Sequence, residues 1–228
     1  CALGAVRAEN LLRNAGFATA GSGEAPDYWS WQNGPTERAD WPHCWRLDEA
    51  HFVAATRSMR LADEGGKRVR LLSFYYRLPV GKNYSFSAYL RSDREGARIT
   101  MYLGDVKPDP NFPGTGCVKA ETFAVGTGWR RCTVTGSTAL LERFHSCVAF
   151  QLEGNAAVWI NAPQLEEGTQ PTAFAVSPHD GTFGWPQAIP VHETHADSRA
   201  AFLDRSFYTT ETEATLWIRL AQPGVARV

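Results

Sequence analysis

Val158-Trp159-Ile160-Asn161-Ala162-Pro163-Gln164-Leu165-Glu166-Glu167-Gly168 decides the fold. The stretch reads as a β-strand that ends in an acidic Glu-Glu-Gly turn. Apolar residues alternate at Val158, Ile160 and Ala162, and Leu165 closes the run after Pro163 shifts the register. Pro163 has no N–H for a ladder, so the strand sits at an edge or a bulge there. Its expected partner lies far upstream, in Asn10-Leu11-Leu12-Arg13-Asn14-Ala15-Gly16-Phe17, read as the first strand and turn.

Between these ends, short alternating segments recur with turn signals among them. Strands are expected after Trp41–Arg46, over Thr56–Ala62, and over Arg68–Leu78 as one long strand. Further strands are expected over Tyr84–Ser92, Arg98–Leu103, Glu121–Val125, Arg130–Thr135 and Ser146–Leu152. Pro79-Val80-Gly81-Lys82 and Asp93–Gly96 read as turns, and Gly104–Gly116 as a long loop. Several short strands with regular punctuation predict an all-β sandwich of two antiparallel sheets. After Gln170, Pro and Gly accumulate and the texture changes. Residues 1–9 read as a lead and 10–177 as the sandwich. Residues 178–228 read as a linker with the first strand of a following domain, or as a wrapping tail. Ala196–Phe202 is expected as a short helix and Ala214–Leu220 as a strand.

Four of these landmarks, in order, resemble carbohydrate-binding modules of the 4/9-like, galactose-binding-domain-like jelly-roll group. They are Asn10-Leu11-Leu12-Arg13-Asn14-Ala15-Gly16-Phe17, Gly81–Ser92, Gly128-Trp129-Arg130-Arg131-Cys132-Thr133-Val134, and the closing Val158–Gly168 strand. The resemblance implies a β-jelly roll whose concave sheet face takes a polysaccharide or oligosaccharide. It implies a non-catalytic module of a larger secreted bacterial protein, with a glycoside hydrolase or polysaccharide lyase as neighbouring domain. The competing expectation is a structural jelly roll in a surface, tail or multidomain assembly, because a fold hosts many functions. A third reading makes the whole chain an enzyme.

Composition narrows the partners. Hydrophobic residues are 43% of the 228, enough for a sizeable core in one large β domain. A net charge of -1 argues against nucleic acid or an anionic membrane as the main partner. The sequence holds no apolar run long enough for a transmembrane helix. No signal peptide is visible, and a start at Cys1 reads as a mature or excised fragment; the expected location is extracellular or at the cell surface. Cys1, Cys44, Cys117, Cys132 and Cys147 are odd in number and lack CxxC spacing, which argues against zinc. Their pairing stays open, with Cys132 and Cys147 also readable as small buried apolar residues.

Alternation sorts the faces. Tyr84, Phe86, Ala88 and Leu90 point to the core, as do Ile99, Met101 and Leu103, and Val148, Phe150 and Leu152. The opposite face then carries Tyr89, Arg91, Tyr102 and Gln151, with Arg60 from Thr56–Ala62. If those strands are neighbours, the set forms one patch. A pyranose presents a flat C–H face to an aromatic ring and hydroxyls to fixed donors and acceptors, which this mixture supplies. A second candidate is the loop set Trp29, Trp31, Trp41 and Trp45, from which Trp45 is kept as a binding residue.

The family resemblance also implies a structural Ca²⁺ held by the opening turn and closing strand. Ala18 stands where the family has an acidic residue and Asn161 where it has Asp, so the ligand charge falls. Asn161 is the ligand carried over. No GxSxG, HExxH or phosphate loop occurs. His192 and His195 have metal-compatible spacing but read as a solvated run. Adjacent Glu166 and Glu167 would face opposite ways on a strand, unlike paired glycosidase carboxylates.

Overall fold

The closing strand lies in the middle of a sheet, and the rest of the sandwich is laid out around it. A computed structural model describes residues 9–20, 26–32, 41–63, 66, 68–73, 76–104, 117–138 and 144–178. These residues belong to one unit, Cys1–Asp180. The helix and strand expected after residue 195, and His192 and His195, lie outside the described residues.

In chain order the elements are β1 (Trp29–Gln32), α1 (Trp41–Cys44), β2 (Trp45–Asp48), β3 (Ser58–Ala62), β4 (Arg70–Ser73) and β5 (Tyr76–Leu78). There follow β6 (Asn83–Ser92), β7 (Ala97–Gly104), β8 (Cys117–Val125), β9 (Arg130–Ser137), β10 (Phe144–Ser146), β11 (Val148–Glu153) and β12 (Ala157–Glu167). The first sheet has the order β1-β4-β11-β7-β8 and the second β2-β3-β12-β6-β9, while β10 and β5 form a two-stranded ribbon. Every pairing is antiparallel. The fold is the expected β-sandwich jelly roll. No helix among the described residues is long and apolar enough to cross a membrane.

The core is the set that alternation selects. Tyr84, Phe86, Ala88 and Leu90 of β6 meet Ile99, Met101 and Leu103 of β7 and Val148, Phe150 and Leu152 of β11. Met59 and Leu61 of β3 join them, with Val158, Ile160 and Leu165 of β12. An aromatic seam crosses from sheet to sheet. Phe17 meets Trp29 edge-on at 5.2 Å, Trp29 lies 6.5 Å from Phe150, and Phe150 lies 5.1 Å from Phe86.

Three sequence expectations are corrected. Asn10–Phe17 is a turn segment rather than a strand. Asn14 and Phe17 take φ of 48° and 54°, the left-handed region, so extended pairing stops there. The segment still docks beside the closing strand: Leu11 N donates to Leu165 O at 2.8 Å. Asn10 completes the clasp. Its Oδ1 accepts from Leu165 N at 3.2 Å, and its Nδ2 donates to Ala175 O at 2.9 Å.

Arg68–Leu78 is not one strand. β4 pairs in the first sheet and β5 in the ribbon. At Pro163 the bulge wins over the edge. β12 is flanked by β3 and β6, and its register to β6 shifts between Asn161 and Gln164. Ala162 absorbs the extra residue at φ 52°. The Glu-Glu pair belongs to the strand end, where buried Glu166 accepts from Thr172 and Glu167 pairs with Lys82 Nζ at 2.7 Å.

Candidate functional site

The residues proposed as one patch lie on two outer faces. Tyr102 (β7) and Gln151 (β11) are on the first sheet. Arg60 (β3), Tyr89 and Arg91 (β6) are on the second. Face parity is right for each residue. Strand order, which parity does not carry, separates them. Trp45 drops out as a binding residue: it is 3% exposed, sits in the core, and its Nε1 reaches across to Arg70 O at 3.2 Å. Trp29 is likewise core, at 3% exposure. The side chains of Trp31 and Trp41 lie outside the description.

On the first sheet, register places Arg70, Gln151, Thr100 and Thr122 in one row across β4, β11, β7 and β8. Arg70 Nε donates to Gln151 Oε1 at 2.7 Å. Thr100 Oγ1 donates to Glu153 Oε1 at 2.8 Å and shares a hydrogen bond with Thr122 Oγ1 at 2.7 Å. Gln151 is buried, so it holds the Arg70 guanidinium in place rather than reaching solvent itself. The next row is Leu72, Ala149 and Tyr102. The half-buried Tyr102 ring packs on Leu72, Cys147 and Ala149. Burial pushes the Tyr102 hydroxyl above its usual range. Arg70 and Arg68 pull it down, and Glu153 and Cys117 push it up. Glu153 escapes the sequence reading because it lies one residue past the expected Ser146–Leu152 strand, and Arg70 because β4 carries Leu71 inward and Leu72 outward. Two adjacent leucines erase the alternation that would flag Arg70.

On the second sheet, Trp159 of β12 stands between Arg60 of β3 and Arg91 of β6, directly paired with both. The guanidinium carbons lie 5.9 Å and 5.4 Å from the indole centroid. Arg91 also lies 5.8 Å from the Trp129 ring, and Arg131 lies 5.6 Å from the Tyr89 ring. His51 packs on the same indole at 4.9 Å. Trp159 Nε1 donates to Asp48 Oδ2 at 2.8 Å.

Burial pushes the Asp48 carboxyl up, but other contacts more than reverse this. The Trp159 indole, the Ala50 amide, and the His51 ring and amide together hold its pKa at about 2 against an ordinary 3.8. A depressed carboxyl stabilises the fold above its unfolded pKa and loses that contribution as pH falls through the folded value. Acid titration of unfolding free energy should lose about 2 kcal/mol between roughly pH 4 and pH 2 from this group. Asp48→Asn should flatten that part of the curve; an unchanged slope refutes the assignment.

The rest of this face is roofed. Asn161 Oδ1 accepts from Val53 N, Ala54 N and Ala55 N at 3.3, 2.9 and 3.1 Å. Its Nδ2 donates to Ala55 O at 3.2 Å and Arg57 O at 2.6 Å. Gln164 Oε1 accepts from Ala175 N at 2.9 Å. An oxygen already facing three N–H dipoles does not fit a Ca²⁺ ligand, so Asn161 is corrected from metal ligand to loop anchor. Among the described residues no group of three His, Cys, Asp or Glu side chains is placed to hold a metal. Cys132 is a core thiol of β9, pushed up to about 11 by burial.

No family model matches the sequence, and no curated protein matches it. Solved structures do match. TmCBM61 in complex with β-1,4-galactotriose is 16% identical, with 70% of this chain and 99% of that chain covered and a TM-score of 0.50. A structure described as CBM4 is 16% identical over 63% of this chain and 97% of its own, with a TM-score of 0.46. A putative sugar binding protein from Bacteroides thetaiotaomicron is 13% identical over 70% and 100%, with a TM-score of 0.46. The shared feature is the fold: this chain is a two-sheet jelly roll of the kind found in carbohydrate-binding modules.

Proposed function

We propose that the domain is a non-catalytic carbohydrate-binding module, and that the sugar lies on the outer face of the first sheet. The observation that carries the reading is Tyr102, half-buried on a small apolar bed, beside an Arg70 fixed by Gln151 and within the influence of Glu153. The ring offers apolar area to a pyranose face. Arg70 offers donors and Glu153 acceptors to its hydroxyls, all on rigid strands that lose little entropy on binding. The fold shared with TmCBM61, whose structure holds β-1,4-galactotriose, supports the class of ligand. The paired glutamates also favour binding over hydrolysis. Glu166 is buried against Thr172 and Glu167 is held by Lys82, so they do not flank a common bond. In a larger secreted glycan-degrading protein, such a module raises the local concentration of a tethered catalytic domain on its substrate.

Affinity electrophoresis through gels containing neutral polysaccharides, β-1,4-galactan among them, tests this. Arg70→Ala and Tyr102→Ala should each weaken retention about tenfold, a loss of about 1.4 kcal/mol, with the circular dichroism spectrum unchanged. Equal retention of both variants and the parent would overturn the proposed face. No retention on any polysaccharide would favour the structural jelly roll instead.

A further inference from the structure

We infer that the outer face of the second sheet is a separate binding surface for the carboxylates of an acidic polysaccharide. This rests on the sugar-binding reading above and adds a second face with a different ligand chemistry. Register puts Arg46, Arg60, Trp159 and Arg91 in one row across β2, β3, β12 and β6. Arg131 follows on β9, opposite Tyr89. Neighbouring strands are roughly 4.8 Å apart, so Arg46 and Arg60 are immediate neighbours and Arg60 and Arg91 flank Trp159 two strand spacings apart.

Asp48 and Glu166 of the same face pair with none of Arg46, Arg91 and Arg131. Asp48 is taken by Trp159, His51 and the Ala50 amide. Glu166 is taken by Thr172. Arg46, Arg91 and Arg131 make no ion pair among the described residues. The Nε atoms of Arg91 and Arg131 are buried without a hydrogen-bond partner. Charge of one sign is thus concentrated on a chain whose net charge is only -1.

Arg91 is the centre of the site. Two indoles hold its guanidinium, Trp159 at 5.4 Å and Trp129 at 5.8 Å. Ring contacts hold a guanidinium through its face, and with Nε buried it is the terminal N–H groups of Arg91 that meet an acceptor. A carboxylate takes two parallel N–H bonds from such a fork. Repetition selects the partner. A uronic-acid polymer carries one carboxylate per sugar, so a row of arginines meets it more than once. Half-buried Trp129, beside Arg91, adds apolar surface that a sugar ring covers and a lone inorganic anion does not.

Polygalacturonate is the probe, with its methyl-esterified form, β-1,4-galactan and polyglutamate run in parallel by titration calorimetry. The parent should bind polygalacturonate, lose most of that binding at about 0.5 M salt through screening, and ignore the esterified polymer. Arg91→Ala should weaken polygalacturonate at least tenfold and leave galactan unchanged. Arg91→Lys, which keeps the charge and loses the fork, should fall between. Arg46→Ala, at an exposed position, should cost two- to fivefold and serves if Arg91 variants do not fold. No binding of polygalacturonate by the parent, undiminished binding in both alanine variants, or equal binding of the esterified polymer overturns the inference. Polyglutamate bound as tightly, with the same Arg91 dependence, overturns it in favour of an acidic peptide. Galactan retention that depends on Tyr102 reports the first face separately, so either reading can fail alone.

Discussion

Asn161→Ala should destabilise the domain by about 3–5 kcal/mol, because each buried polar group left without a partner costs roughly 1–3 kcal/mol. Asn161 is fully buried on β12. Its amide meets three backbone N–H groups of residues 53–55 and the carbonyls of Ala55 and Arg57. Truncation strands all of these under the loop they anchor. Asn161→Asp keeps the acceptor for the three N–H groups but sets a carboxylate oxygen against two carbonyls. It should therefore also destabilise. Urea unfolding of the three proteins, at matched pH, measures this. A loss below about 1 kcal/mol for the alanine variant would mean that water replaces the side chain and the anchor role is wrong. Local loosening should show as faster amide exchange at Val53, Ala54 and Ala55.

Phe150→Ala should cost a similar amount, about 3–5 kcal/mol. The ring is fully buried on β11 of the first sheet, between Trp29 of that sheet and Phe86 of the second. Its removal takes away apolar burial, leaves a cavity in the middle of the seam, and ends two ring contacts at once. Phe150→Leu, which refills most of the volume, should recover about half the loss. The measurement is the midpoint of guanidinium unfolding at constant m-value. If alanine and leucine variants are equally stable, the seam does not join the sheets energetically.

Much of this was legible in the chain, for reasons that can be stated. Period-two alternation assigned the core faces of β6, β7 and β11 because each of those strands keeps one face apolar. Pro163 announced a break in the ladder. What alternation lacks is adjacency. It says that Tyr89 and Tyr102 both point outward, but β6 and β7, though consecutive, belong to different sheets. Polar residues on a covered outer face also mislead. Asn161 reads as a metal ligand and Glu166 as part of an acidic turn, yet both are buried, under residues 51–57 and 172–175 respectively. Arg46 shows the reverse problem. It sits in a short strand beside a single turn of helix, and only register with Arg60 makes it part of a band. The Trp45 error has a plain cause as well. A tryptophan near a loop is indistinguishable by sequence from one whose indole crosses the core to a carbonyl on the opposite sheet.

The Asn10 clasp has a mechanical consequence. One side chain ties the incoming segment to the Leu165 amide and to the outgoing Ala175 carbonyl. Entry and exit therefore share a doorway. A body built this way can be spliced between neighbours on one polypeptide without forcing them apart. Tension along such a polypeptide would load that small knot of hydrogen bonds before either layer of strands feels it.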